Sequence, residues 1–91
     1  MERKRNRLEV IRDILKVIRD KNGKIKPTHI LYKSNLSYQM MNEYLDELIA
    51  KGFIIRLEKE KSKTYSLTKK GFDYLEQYNL INEFTNSFGL G

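Results

Sequence analysis

The chain has 91 residues, 18 lysines and arginines against 12 acidic residues, a net charge of +6 and no cysteine. This length predicts one domain, since folding units of about 100–150 residues are the commonest. The absence of cysteine excludes disulfides, thiolate metal sites and cysteine nucleophiles. No apolar run approaches the ~20 residues that a membrane span needs, and the charged N-terminus does not resemble a signal peptide, so we expect a soluble intracellular protein.

The positive charge is concentrated in two blocks. Residues 1–26 carry ten basic and four acidic residues, and residues 51–70 carry seven basic and two acidic residues. The segments 27–50 and 71–91 are slightly acidic. This distribution is typical of phosphate-binding surfaces, but also of solvated lysine-rich surfaces, so charge alone does not decide the function.

The first predicted helix runs from about Arg7 to Lys21, where apolar residues recur at every third or fourth position. Asn22-Gly23 predicts its end, because glycine accepts the left-handed backbone that closes a helix. A short second helix is predicted from Pro27 to Lys33, since proline is favoured in a first helical turn.

A third helix is predicted after the turn Ser34-Asn35, with Ser37 as its N-cap and its end near Lys51. Four residues form its apolar face: Met41, Tyr44, Leu45 and Leu48. Met40 and Met41 are both expected to fill the core, as methionine commonly does.

The rest of the chain predicts a β-hairpin and a last helix. The runs 53–57 and 64–67 are rich in β-branched and aromatic residues, and the charged loop 58–63 separates them. Thr68 is the predicted N-cap of a fourth helix from Lys69 to about Phe88. The order helix, helix, turn, helix, hairpin, helix predicts a mainly α fold with a β-hairpin (α+β), the winged helix-turn-helix.

This order indicates binding to double-stranded DNA, because the major groove admits one α-helix and a basic hairpin beside it reaches the flanking phosphates. The groove contacts predicted at the start of the third helix are Ser37, Tyr38, Gln39 and Asn42. The predicted phosphate contacts are Lys33, Ser34, Lys59, Lys61 and Lys63. The acidic residues in the C-terminal half of this helix, Glu43, Asp46 and Glu47, are expected to face solvent away from phosphate.

Three stretches, 32–38, 52–55 and 65–71, resemble the small basic winged-helix DNA-binding proteins of crenarchaea. The resemblance covers roughly residues 7–78 and extends to winged-helix proteins of archaeal viruses. It implies a DNA-binding homodimer in which the last helices of two subunits pair as an antiparallel coiled coil.

The last helix departs from that family, whose members carry a longer, charged helix with clear heptads, because only 20 residues follow Gly71 here. We therefore expect a compact aromatic interface, packed partly against the first helix, rather than a long rod. The predicted interface residues are Phe72, Tyr74, Leu75, Tyr78, Ile81, Phe84 and Phe88.

These predictions divide the chain into a basic N-terminal arm (1–6), a winged-helix DNA-binding domain (7–68) and a C-terminal dimerisation helix (69–91). The cluster Arg3, Lys4, Arg5 and Arg7 is consistent with a DNA-seeking arm and equally with a solvated end.

The functional hypothesis is a DNA-binding homodimer of the cytoplasm, at the nucleoid, acting as a transcriptional regulator or as a nucleoid-associated protein. We expect no enzyme activity, cofactor or metal, because no Gly-rich phosphate loop, metal-ligand spacing or carboxylate pair beside a histidine is present. The single histidine, His29, is expected to be structural or solvent-facing. The alternative is a protein-interaction module whose acidic third-helix face meets a basic partner; RNA binding is a third option.

Overall fold

The computed structural model describes residues 5–90 of the chain. Within this range, four α-helices and one two-stranded antiparallel sheet follow in the predicted order, so the predicted winged helix-turn-helix fold is confirmed. The elements are α1 (Arg7–Asp20), α2 (Pro27–Ser34), α3 (Tyr38–Ala50), β1 (Ile54–Lys59), β2 (Ser62–Leu67) and α4 (Lys69–Ser87). Arg3 and Lys4 of the predicted arm lie outside the described residues.

The helix α1 forms the centre of the core. Its N-terminus is closed by a capping box between Asn6 and Glu9, which satisfies backbone N–H groups that have no partner within the helix. Its apolar side packs against α2, β2 and α4. The buried residues on that side are Val10, Ile11, Ile14, Leu15 and Ile18.

The turn between α2 and α3 is fixed at both of its ends. Asn35 ends α2 in the left-handed conformation, with φ 53° and ψ 50°, which asparagine tolerates better than most residues. Ser37 then caps α3, because its hydroxyl accepts a hydrogen bond from the Met40 backbone N–H at 3.2 Å. This turn therefore sets the angle at which α3 leaves the rest of the domain.

Arg5 also holds the turn, although it precedes the first helix. Its guanidinium donates to the Ser34 carbonyl at 2.7 Å and to the Asp13 carboxylate, also at 2.7 Å. Arg5 therefore ties the end of α2 to α1. The sequence placed this residue in a basic arm and did not predict its contacts with the folded domain.

The hairpin, or wing, is longer and tighter than predicted. Lys59 pairs with Ser62, so only Glu60 and Lys61 form the turn, and Lys59 and Lys63 lie within the strands. A further bridge joins Ile25 to Tyr65, where the Tyr65 N–H donates to the Ile25 carbonyl at 3.2 Å. This bridge attaches the wing to the segment before α2, and the sequence did not predict it.

The two methionines of α3 differ in burial. Met41 is buried in the core, as predicted, but the prediction for Met40 is wrong, since 44% of its surface is exposed. The two side chains point to different sides of α3, because successive residues of a helix are about 100° apart. No helix among residues 5–90 is both long enough and apolar enough to cross a membrane.

Gly71 allows the first turn of α4 to lie against the start of the wing. A Cβ atom at this position would lie 2.4 Å from the Phe53 carbonyl oxygen, which is closer than atoms in contact can approach. Thr68 holds the same junction, because its hydroxyl donates to the Gly52 carbonyl at 2.6 Å and accepts from the Gly71 N–H at 3.2 Å. A side chain at position 71 would therefore push α4 away from the wing.

We expect Gly71→Ala to lower the free energy of unfolding by about 1–3 kcal/mol, the usual cost of overpacking a tight contact. Urea denaturation followed by circular dichroism measures this change. Gln77→Ala, at an exposed position of the same helix, is the control and should stay within about 0.5 kcal/mol of the wild type. Equal stability of both variants would contradict the steric argument.

Candidate nucleic-acid interface

The N-terminal half of α3 projects from the domain. Ser37, Tyr38 and Gln39 are exposed, Tyr38 over 69% of its surface, while Asn42 is half-buried. The opposite side of the helix is held by the buried residues Met41, Leu45 and Leu48. The four residues predicted to contact the groove therefore lie at one end of a helix whose other side is anchored in the core.

A cleft of about 370 Å³ lies between this end of α3, the start of α2 and the wing. Tyr38 lines it from α3, and Lys61 and Lys63 line it from the wing. The start of α3 and the tip of the wing therefore face the same side of the molecule. The remaining lining residues are Lys26, Pro27, Thr28 and Ser62.

Lys26 and Thr28 are candidate contacts that the sequence analysis missed. Both are exposed at the start of α2, and no side chain caps this helix end. The signal in the sequence was the lysine directly before Pro27, since helix N-termini favour anions through their free N–H groups and their dipole.

The wing lysines are free to bind an external anion. Lys59, Lys61 and Lys63 are exposed, and within residues 5–90 their ammonium groups form no ion pair or side-chain hydrogen bond. Lys33, also exposed, lies elsewhere, beside a second depression between α1 and α2 that His29 also lines. The structure therefore does not bring Lys33 together with the wing lysines.

Ser34 does not suit its predicted role. Its side chain is fully buried, and its hydroxyl has no hydrogen-bond partner within the described part of the chain. The Ser34 side chain points into the core, and its backbone carbonyl accepts a hydrogen bond from Arg5. We correct the prediction accordingly: the hydroxyl of Ser34 is not available for a phosphate contact.

The acidic residues of α3 have partners within the domain. Glu47 accepts a hydrogen bond from Arg7 and forms an ion pair with Lys51 at 3.3 Å. Asp46 lies 4.0 Å from Arg56 of β1. These pairs reduce the negative potential on the C-terminal half of α3.

The predicted interface residues of α4 fall into two groups. Leu75 is buried in the core of the domain, which corrects its prediction as an interface residue. Tyr74 donates its hydroxyl to the Leu8 carbonyl at 3.2 Å, and burial raises the pKa of that hydroxyl. Tyr78 is half-buried, with the Arg12 guanidinium 5.1 Å from its ring centre. These three residues therefore pack within the domain, and Tyr74 and Tyr78 contact α1.

The other residues of α4 leave apolar surface exposed. Phe72 is 41% exposed, and Ile81, Phe84 and Phe88 are each 64–66% exposed. Two neighbours that the sequence analysis missed extend this surface, Leu80 at 53% and Leu90 at 78% exposure.

Within residues 5–90, no three histidine, cysteine, aspartate or glutamate residues come together in a group that could hold a metal ion.

The family model described as winged helix-turn-helix matches residues 4–86. The chain belongs to the winged helix-turn-helix family. An uncharacterised protein of Methanocaldococcus jannaschii is similar to this winged-helix protein, with 39% identity over 80 residues, which are 87% of this chain and 79% of that relative.

Solved structures are similar in fold. Sso10a-2, described as a DNA-binding protein from Sulfolobus solfataricus, has a TM-score of 0.74 and 26% identity, with 93% of this chain and 90% of that chain covered. A variant of MepR from S. aureus, bound to an oligodeoxyribonucleotide, has a TM-score of 0.76 over 87% of this chain and 60% of that chain. At 16% identity, the likeness to MepR shows the fold alone.

The ion pair of Arg7 and Glu47 makes the stability of this winged-helix protein depend on pH. The hydrogen bond from Arg7 lowers the pKa of Glu47 below its ordinary value, and Lys51 acts in the same direction. The folded chain therefore keeps this carboxyl ionised at a lower pH than the unfolded chain does. The pair stabilises the fold above the unfolded pKa, and its contribution is lost as the pH falls through the folded pKa.

We expect the difference in unfolding free energy between the wild type and Glu47→Gln to shrink as the pH falls from about 6 to about 3. Urea denaturation at several pH values measures this difference. A difference that stays constant over the range would contradict the assignment of the ion pair.

Proposed function

We propose that this winged-helix protein binds double-stranded DNA, with the N-terminal half of α3 in the major groove and the wing on the flanking phosphates. The observation that carries the proposal is the shared cleft, in which Tyr38 of α3 faces Lys61 and Lys63 of the wing. A groove about 12 Å wide accepts one helix, and a hairpin beside that helix then lies over the phosphate backbone. The described DNA-binding activity of Sso10a-2 supports this proposal.

Base edges are contacted by the exposed start of α3. Gln39 and Asn42 carry amides, which hydrogen-bond base edges in the major groove, and Tyr38 and Ser37 carry hydroxyls that suit a base or a phosphate. These contacts give the protein its choice of sequence.

Phosphates are contacted by cations around the cleft. The phosphate backbone is contacted from the wing by Lys59, Lys61 and Lys63. It is contacted from the start of α2 by Lys26 and Thr28. Lys33 lies farther along α2 and would meet a phosphate only where the duplex bends toward that side. Each phosphate that is neutralised releases a counterion, so affinity falls with salt.

The internal pairs of α3 favour DNA over the alternative of a basic protein partner. Glu47 and Asp46 already have cationic neighbours, so they offer little free charge to such a partner. The same pairs weaken repulsion between α3 and phosphate. We therefore infer that the protein is a transcriptional regulator or a nucleoid-associated protein, without catalytic function, and that it acts in the cytoplasm at the nucleoid.

We expect Lys61→Ala and Lys63→Ala each to reduce the slope of log affinity against log salt concentration by about one. Fluorescence anisotropy with a labelled duplex between low and moderate salt measures the slope. Lys16→Ala is the matched control, because it removes the same charge from the exposed side of α1 and should leave the slope unchanged. Salt-independent binding of the wild type would contradict the proposal.

We further propose that the protein binds as a homodimer through the exposed apolar surface of α4. Ile81, Phe84 and Phe88 lie on one side of the helix, and the rings of Phe84 and Phe88 lie 5.0 Å apart. Contiguous apolar surface of this kind marks an interaction site in soluble proteins. A two-fold pairing of α4 presents two copies of α3 to the duplex, as a symmetric pair of half-sites requires.

We expect Phe84→Asp to raise the dimer dissociation constant by at least about 30-fold, because it places a charge in the centre of this surface. Light scattering coupled to size-exclusion chromatography measures the mass of the species. Asn86→Asp introduces the same charge on the other side of α4 and should leave a dimer. A monomeric wild type, or an unchanged dimer of Phe84→Asp, would contradict this interface.

A further inference from the structure

A separate pocket lies between α1 and α4, and we call it the α1–α4 pocket. Its volume is about 310 Å³, near the lower end of the range for small-molecule pockets. It shares no lining residue with the cleft between α3 and the wing. Three cations of α1 line one side, and a leucine and two asparagines of α4 line the other: Arg12, Lys16, Arg19, Leu75, Asn79 and Asn82.

The polar groups of the α1–α4 pocket are hydrogen-bond donors. Among residues 5–90, no aspartate or glutamate side chain lines it. The three cations follow one another at intervals of about one helical turn, which is about 5.4 Å along the axis. The two asparagines are also about one turn apart on α4. Two rows of donors therefore line the same small space.

The positive charge of the pocket is only partly neutralised within the domain. Asp13 pairs with Arg12 at 2.8 Å, but it also pairs with Arg5 at 2.7 Å. One carboxylate thus serves two guanidinium groups, which leaves one positive charge without a counterpart. Lys16 is exposed, and within the described part of the chain its ammonium group forms no ion pair. Two positive charges therefore remain for an external anion.

Arg12 is held in place at the edge of the pocket before any ligand binds. Its Nε donates to the Asp13 carboxylate at 2.9 Å, and its guanidinium lies 5.1 Å from the ring centre of Tyr78. A guanidinium that is already ordered loses little conformational entropy when it binds a ligand. Arg19, at the other end of the row, pairs with Asp20 at 3.3 Å.

We propose that the α1–α4 pocket binds a small phosphate monoester with a hydroxylated body. The guanidinium of Arg12 suits phosphate oxygens, and the ammonium of Lys16 adds a free point charge. A phosphate monoester carries about −1.5 to −2 charges at neutral pH, close to the positive charge that the pocket leaves unpaired. The amides of Asn79 and Asn82 both donate and accept, which suits hydroxyl groups. This inference does not rest on the DNA binding proposed above.

Titration of the isotope-labelled protein with ribose 5-phosphate, followed by NMR, tests the proposal. The side-chain amide resonances of Asn79 and Asn82 should shift and reach saturation, because both groups line the pocket. Ribose at the same concentration should leave them unchanged, since it lacks the phosphate. Inorganic phosphate should bind more weakly than ribose 5-phosphate, since it lacks the hydroxylated body.

Two pairs of variants separate the pocket from a general effect of charge or of folding. Lys16→Ala should raise the dissociation constant of ribose 5-phosphate by at least about fivefold, the effect of losing a charged hydrogen bond. Lys24→Ala removes the same charge at an exposed position outside the pocket and should leave the constant unchanged. Asn82→Ala should weaken binding by at least about twofold. Asn86→Ala, also exposed on α4 but outside the pocket, is its matched control.

Unchanged resonances of Asn79 and Asn82 up to about 10 mM ribose 5-phosphate would overturn the inference. Equal weakening by Lys16→Ala and Lys24→Ala would also overturn it, because binding would then follow net charge alone.

The phosphate of the DNA backbone is a second source of the same chemistry, and a short duplex separates it from the free ester. Displacement of ribose 5-phosphate by the duplex, together with a reduced salt slope of duplex binding in Lys16→Ala, would assign the pocket to DNA and overturn the inference. A wild type that binds ribose 5-phosphate but no duplex would contradict the proposed function and support the inference.

Discussion

The burial of one side of α1 is the constraint on which the rest of the fold depends. Ile14, Leu15 and Ile18 have no exposed surface, and α1 contacts the short helix α2, the strand β2 and the last helix α4. A domain of this size has a small core, and α1 supplies five of the fourteen buried apolar residues among residues 5–90. The helix-turn-helix, the wing and α4 are therefore positioned relative to each other by a shared neighbour.

The elements of the fold could be predicted from the sequence because their signals are local. The apolar repeat of α1, the cap at Ser37 and the charged segment between two β-branched runs each involve neighbouring residues. What could not be predicted depends on residues far apart in the chain. The contact of Arg5 with Ser34 and the bridge from Ile25 to Tyr65 are of this kind, and no periodic pattern predicts either of them.

Of the residues predicted for the candidate site, the structure exposes those of the wing and most of those at the start of α3, but it buries others. Periodicity identifies which side of a helix is apolar, but not which neighbour covers that side. For this reason Ser34 and Leu75 were assigned to outer surfaces although the fold buries both. The exposed start of α3 could be predicted, since polar residues there precede a regular apolar stripe. Lys26 could not be predicted as a contact, because only the position of the wing shows that this lysine lines the same cleft.

The contacts of Arg5 have a practical consequence for work with shortened fragments. A fragment that starts at the first residue of α1 looks complete by helix boundaries, yet it lacks the guanidinium that binds the end of α2. The carbonyls of that turn would then rely on water, and the half-buried carboxylate of Asp13 would keep only Arg12 as its cationic partner. Such a fragment would keep its helices but hold α3 at a less fixed angle. Weak DNA binding by the fragment would then be caused by the loss of Arg5 and not by the residues that face the groove.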